Sequence, residues 1–193
     1  MKLTMPYFIL VMLITFSPSL LGEGATDKER LLLEVPGGWV KIDSQSDEHV
    51  QSAYYLREGV DADNAEEILA AQIIFGRADR KPEAILGVLA DEADKQCAPF
   101  HAAAIPLEVV NPEYATLAIM VLCGWNKSAQ TGEVTLVRAI TGKQNLYLIQ
   151  KIWKTSQYNL DDEVPVSFDE RKTWREFLFS VDICQLDLSL IHI

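Results

Sequence analysis

The alternation of apolar and polar residues along the chain predicts a sheet of about six strands. The first strand region, residues 31–43, is interrupted by the turn Val35-Pro36-Gly37-Gly38. A later run, residues 114–123, is almost entirely apolar, which is typical of a strand covered on both faces. Short glycine-containing connections at 129–132 and 141–144 indicate an antiparallel meander. The other strand-like runs are residues 50–56, 70–76, 133–140 and 145–153.

Two segments show helical spacing instead. In residues 82–97 the apolar positions return on one helical face, and Pro82 suits the first turn. In the second segment Ser167 and Glu170 form a capping box, and an apolar stripe extends from there to Cys184. The predicted fold class is therefore α+β, with a largely antiparallel sheet flanked by two main helices.

The start of the chain departs from this pattern. Residues 1–25 combine Lys2, a short apolar run and a flank of small residues, which predicts a cleaved signal peptide. A permanent membrane anchor and a buried helix are the alternatives, but the run is short for a bilayer span. We expect a single α+β domain over residues 31–186, periplasmic or secreted, with no permanent membrane span after signal cleavage.

The last six residues of the chain correspond to a DNA sequence of unusual origin. Residues 188–193, Leu-Ser-Leu-Ile-His-Ile, are what the codons CTG TCT CTT ATA CAC ATC encode. That string matches the transposase mosaic end used in tagmentation sequencing libraries. We therefore interpret residues 188–193 as translated sequencing adapter, with a genuine apolar tail as the alternative.

The charge balance narrows the possible partners. The chain carries a net charge of −11, and cleavage after Gly22 would leave about −12, because Lys2 is the only charge removed. Nucleic acids and anionic membrane surfaces require clustered Lys and Arg, so we expect neither as a partner. Acidic groups at 61–67 and 91–94 are interpreted as solvated faces, with an acidic docking surface as the alternative.

Three cysteines, Cys97, Cys123 and Cys184, follow the predicted export signal. An oxidising compartment favours pairing, and one cysteine must be left over. Cys97 ends a predicted helix and Cys123 ends a predicted strand, two positions that can meet when a helix packs on a sheet. We therefore favour a Cys97–Cys123 disulfide, although the sequence alone allows three single pairings.

Two loops resemble ligand-binding motifs, but their spacing is wrong. Asp61, Asp63 and Asn64 are not followed by the glycine and the terminal glutamate of a calcium loop. The segment Thr141-Gly142-Lys143 resembles the end of a phosphate-binding loop, but Gln144 replaces the required hydroxyl residue. We interpret the first as a solvated loop and the second as a hairpin turn.

No catalytic, metal or cofactor site is predicted. His49 and His101 have no second metal ligand at a suitable spacing and no signature linking them to a thiol. Acidic residues at 161–163 could meet another carboxylate across strands and act as acid or base, but their composition is that of a loop.

The chain resembles a family of secreted proteobacterial proteins to which no chemistry is assigned. The resemblance covers residues 36–184. It rests on Pro36-Gly37-Gly38-Trp39, the helix ending in Cys97, the strand ending in Cys123, the phrase TLVRAITGKQNLY at 135–147, and Gln150 and Trp153. It implies export and cysteine pairing but transfers no catalytic residue. The order of elements is also similar to the PsbP/Mog1-like fold, which by itself supplies no function.

We expect a non-catalytic periplasmic binding or accessory domain, which uses a sheet face or a cleft to contact a protein or an envelope component. The alternative is a small periplasmic hydrolase or an inhibitor-type toxin antagonist. His49 or His101 beside carboxylates in a deep concavity would favour the hydrolase.

Overall fold

A computed structural model describes residues 29–106, 111 and 113–185. The predicted signal peptide and residues 188–193 lie outside the described residues. The elements of the described part, in chain order, are β1 (Glu29–Leu32), β2 (Trp39–Ser46), β3 (Val50–Arg57), a 3-10 helix (Ala62–Asn64), β4 (Glu67–Ile74), α1 (Pro82–Gln96), β5 (Phe100–Ile105), β6 (Ala115–Asn126), β7 (Thr131–Thr141), β8 (Leu146–Thr155), α2 (Phe168–Ser180) and β9 (Asp182–Gln185).

Seven of these strands form one antiparallel sheet in the order β2-β3-β4-β8-β7-β6-β5, and β1 pairs with β9 in a separate two-stranded sheet. The predicted α+β class and the antiparallel meander are thus confirmed. The expected number of about six strands is too small for the described residues. The strand β5, which was not predicted, lies between Pro99 and Pro106.

Alternate residues of a strand point to opposite sides, so the large sheet has two faces. The two helices cover opposite faces. Helix α1 places Leu86 and Leu89 on the face formed by Val137 and Leu148. Helix α2 places its buried side chains on the other face, which has the larger apolar core. Among the described residues, neither helix has the length and the apolar character that crossing a membrane would require.

Helix α1 confirms the prediction for residues 82–97: Pro82 occupies its first turn and Cys97 is its C-terminal cap. The prediction for α2 is correct at its start, where the Ser167 hydroxyl accepts a hydrogen bond from the Glu170 amide at 3.2 Å. Its predicted end at Cys184 is wrong, because α2 ends at Ser180.

Buried Arg138 explains where α2 ends. Its Nη1 donates to the carbonyl oxygens of Leu178 and Val181, both at 2.7 Å. These bonds satisfy carbonyl groups that the last helical turn leaves without partners. The chain then extends into β9, where Ile183 pairs with Leu31 of β1.

Candidate ligand-binding groove

A disulfide joins Cys97 and Cys123, with sulfur atoms 2.09 Å apart and Cα atoms 5.2 Å apart. It is the pair that the sequence analysis favours. Cys97 directly follows α1 and Cys123 lies in β6, so the bridge attaches the end of the helix to the sheet. Cys184, partly buried in β9, is the free cysteine of the described part of the chain.

The two described histidines do not lie in a concave site. His49 is exposed in the β2–β3 turn, with Nε2 3.3 Å from the Glu48 carboxylate. His101 is exposed on β5, an edge strand of the sheet. Neither lines the two cavities described below, and the described residues contain no cluster of three or more metal-binding side chains. The arrangement on which the hydrolase alternative depends is therefore not formed by these residues.

The acidic loops have local roles. The Asp61 carboxylate accepts the Asp63 amide at 2.9 Å and caps the 3-10 helix. The Asp162 carboxylate accepts the side-chain amide of Asn159 at 3.0 Å. Such bonds within a loop are the usual use of aspartate in turns.

The turn between β7 and β8 holds an anion that belongs to the chain itself. The Glu29 carboxylate accepts the backbone amides of Lys143, at 2.6 Å, and Gln144, at 3.2 Å. This arrangement agrees with the predicted hairpin turn. The backbone amides of this turn, whose sequence resembles the end of a phosphate-binding loop, therefore already bind the buried side chain of Glu29.

A groove lies on the sheet face that carries α1. Its floor consists of alternate residues of β7 and β8, which point to the same side: Thr131, Glu133, Thr135, Gln150, Ile152 and Lys154. One wall is the segment of α1 from Leu89 to Gln96, and the other is the segment from Asp63 to Glu66. We call this feature the groove.

The groove contains two adjacent cavities. The larger, of about 560 Å³, is lined by Lys154 and the Asp63–Glu66 wall, and the smaller, of about 90 Å³, is lined by Glu133 and α1. Glu133, which lines the smaller cavity, and Lys154, which lines the larger, lie directly opposite each other across β7 and β8. The Cys97–Cys123 disulfide also lines the smaller cavity.

The larger cavity is mainly polar. Thr155, Ser156 and Asn64 bring hydroxyl and amide side chains to its lining, which also includes Thr131. The hydroxyl oxygen of Thr131 is buried and has no hydrogen-bond partner among the described residues. A ligand with both donors and acceptors would satisfy groups of this kind.

Glu133 and Lys154 are both partly buried, and burial is the main cause of their pKa shifts. Desolvation raises the pKa of Glu133, against the lowering effects of a hydrogen bond from Asn126 and of the Lys154 charge. Desolvation lowers the pKa of Lys154, against the raising effects of Glu133 and Asp63. Both groups are therefore less stable in their charged forms than they would be in water.

Lys151 is a second unusual cation, but it lies on the opposite face of the sheet. It is fully buried, with Nζ 2.6 Å from the Glu67 carboxylate. Its ammonium group also lies 4.5 to 4.8 Å from the ring centroids of Trp39, Trp153 and Trp174. An ammonium enclosed in this way cannot contact a ligand, so we assign Lys151 to the core.

The sequence analysis did not identify the groove. A signal was available: Thr131, Glu133 and Thr135 alternate with apolar Val134 and Leu136, which places polar side chains on one face of a central strand. The alternation shows that such a face exists. It does not show which side chains of β8 or of the 3-10 helix lie opposite.

A comparison with solved structures finds weak structural similarity. No protein-family model matches the chain, and no curated protein matches it significantly. The solution structure of cyanobacterial PsbP (CyanoP) from Synechocystis sp. PCC 6803 is similar with a TM-score of 0.41 and 16% sequence identity. The match covers 86% of this chain and 98% of that chain. A similarity this weak carries no inference about function, and the resemblance to secreted proteobacterial proteins stays a prediction.

Proposed function

We propose that the protein is a non-catalytic binding or accessory domain of the bacterial envelope, and that the groove is its ligand site. The observation that carries the proposal is the partly buried Glu133–Lys154 pair, whose two members lie opposite each other on β7 and β8 and each line one of two cavities. Charged groups that are desolvated beside a concave site are characteristic of functional sites, because elsewhere such burial only costs stability.

The position of the groove supports a preformed binding site. Its floor belongs to two central strands that pair along their whole lengths, and the disulfide holds the end of α1 against the sheet. A site built on strands keeps its geometry better than one built on loops. The disulfide also suits the oxidising compartment that the predicted export signal implies.

The test is a ¹⁵N NMR titration of the purified protein with four separate probes: maltose, diglycine, n-butylammonium and inorganic phosphate. We expect at least one probe to shift the amide resonances of the groove floor in a saturable way. Ser156→Trp should block binding of a probe that occupies the larger cavity, such as maltose or diglycine, because Ser156 is exposed and lines that cavity.

Gln157→Trp is the matched control, since Gln157 is the next residue, is exposed and lines neither cavity. It should bind the same probe as tightly as the unchanged protein. The proposal is wrong if no probe shifts the groove, or if both tryptophan variants weaken binding equally.

A further inference from the structure

The charges that line the groove disfavour an anionic ligand. Among the described residues that line the two cavities there are four carboxylates, Asp63, Glu66, Glu92 and Glu133, and a single lysine, Lys154. Glu92 has its own partner in the exposed Lys95. The ammonium group of Lys154 interacts with the carboxylates of both Glu133 and Asp63. The lining therefore keeps an excess of negative charge, as the whole chain does at −11.

The smaller cavity adds a requirement of its own, because its lining is mainly apolar and also includes carboxylates. Leu89, Val121, Val137 and Ile152 provide the apolar surface, and Glu92 and Glu133 provide the carboxylates. Glu92 is already paired with Lys95, which leaves Glu133 as the carboxylate for a ligand. The volume of about 90 Å³ has room for several water molecules or a short aliphatic chain. An apolar lining that contains a carboxylate fits a methylene stem that ends in a charged nitrogen.

We infer that the groove binds an alkylammonium group, with the aliphatic stem between α1 and β7 and the ammonium against Glu133. This inference rests on the proposed function, since it names the ligand class of the same site. The side-chain oxygen of Gln150, which lines the same cavity, is an additional acceptor for the N–H groups.

The larger cavity accommodates the rest of the ligand. Its hydroxyl and amide groups offer both donors and acceptors, which suits the backbone of a peptide that carries a lysine side chain. A free diamine has the same ammonium chemistry but makes no use of this polar lining. A lysine-containing peptide and a free diamine should therefore bind with different affinities but place the ammonium at the same position.

The experiment compares Nα-acetyl-lysine methylamide with its uncharged analogue Nα-acetyl-norleucine methylamide, and adds cadaverine as a free diamine. Binding is followed by NMR shifts of the groove floor and by calorimetry. We expect the lysine compound to bind at least about tenfold more tightly than the norleucine compound, because an ammonium–carboxylate hydrogen bond is lost with the charge. Cadaverine should shift Glu133 and its neighbours but bind more weakly than the lysine compound.

Three variants test the role of Glu133. Glu133→Gln should weaken binding of the lysine compound at least about tenfold. Glu163→Gln removes the same charge from an exposed loop and should have no effect. Lys154→Met should tighten binding several-fold, because it removes the cation that competes for Glu133. A purely structural role of Glu133 would not produce this opposite response.

The outcomes separate the two proposals. If the norleucine compound or maltose binds in the groove as tightly as the lysine compound, the ligand class is wrong and the groove remains a binding site. If Glu133→Gln binds the lysine compound as the unchanged protein does, the inference is also wrong. If no probe shifts the groove, both the ligand class and the proposed function are wrong.

Discussion

At the scale of single residues, the least expected feature is the charge of Lys151 within the core. Desolvation lowers its pKa from 10.5 to about 8, although Glu67 opposes the shift. Three indole rings and one carboxylate surround the ammonium. Glu67 also has Arg57 at 3.6 Å. Lys151 therefore depends on Glu67 as a counter-ion more than Glu67 depends on Lys151.

This inequality predicts different effects for the two ways of breaking the pair. Glu67→Gln should lower the free energy of unfolding by about 3 kcal/mol, because it leaves a buried ammonium without a counter-ion. Lys151→Met should cost less than about 1 kcal/mol, since Glu67 keeps Arg57 and an apolar side chain suits the indole rings. Urea unfolding at pH 7 measures both. Equal losses would contradict this account of the pair.

The same residue predicts how stability depends on pH. The folded pKa of Lys151, about 8, lies below that of an unfolded lysine, so the unfolded chain binds more protons between these values. Stability should therefore rise with pH in this window. Relative to Lys151→Met, the unchanged protein should gain about 1.5 kcal/mol between pH 8 and pH 9.5.

The measurement stays below pH 10 because ionisation of buried tyrosines would weaken both proteins above it. Burial raises the pKa of Tyr158 to about 12, so its contribution to stability is lost above the unfolded value of about 10. The measurement is a series of urea titrations of both proteins below pH 10. A difference that stays constant with pH would show that Lys151 has an ordinary pKa.

At the scale of elements, local chemistry predicted the helix starts better than the helix ends. Pro82 and the Ser167–Glu170 capping box are signals that act within one turn, and both helices begin where they indicate. The end of α2 depends on Arg138, which lies about 40 residues earlier in the sequence. No pattern inside the helix contains that information, so its apolar stripe was extended incorrectly to Cys184.

The disulfide links two elements, and its removal should have a defined cost. It joins residues separated by 26 positions, and the chain-entropy relation gives about 3.5 kcal/mol for a loop of this length. We expect that loss in a Cys97→Ala, Cys123→Ala double variant. Cys184→Ala, which removes no bridge, should change stability by less than about 1 kcal/mol.

Two measurements check this prediction. Urea unfolding gives the free energies of the three proteins. Thiol counting on the denatured, unreduced protein should find one free cysteine, which is Cys184. Three free thiols would contradict the disulfide.

At the scale of the whole molecule, the strand runs and helix faces could be predicted, but their arrangement could not. The sheet order places β4 beside β8, although α1 and three strands separate them in the sequence. The groove depends on this order, because Asp63–Glu66 precedes β4 and Lys154 lies in β8. Periodicity gives the polar face of β7, but the residues opposite it depend on pairing over long sequence distances.

Glu29 makes a contact with residues that are far away in the sequence, and this contact predicts a measurable coupling. Its carboxylate reaches across to the β7–β8 turn, more than a hundred residues later, and accepts two backbone amides and the Tyr147 hydroxyl. Glu29→Ala would remove the acceptor of these two partly buried amides, so we expect a loss of about 2 kcal/mol. The residue lies two positions before the expected domain start at residue 31, and the folded strand β1 includes it.

Gly142 tests whether this contact shapes the turn. A Cβ on Gly142 would lie 2.3 Å from Glu29 Oε2, and the residue needs no left-handed backbone that would add strain. Gly142→Ala should therefore destabilise the unchanged protein but have much less effect once Glu29→Ala has removed the obstacle. In a double-mutant cycle by urea unfolding, the combined loss should be smaller than the sum by more than about 1 kcal/mol. Additive losses would show that the turn forms independently of Glu29.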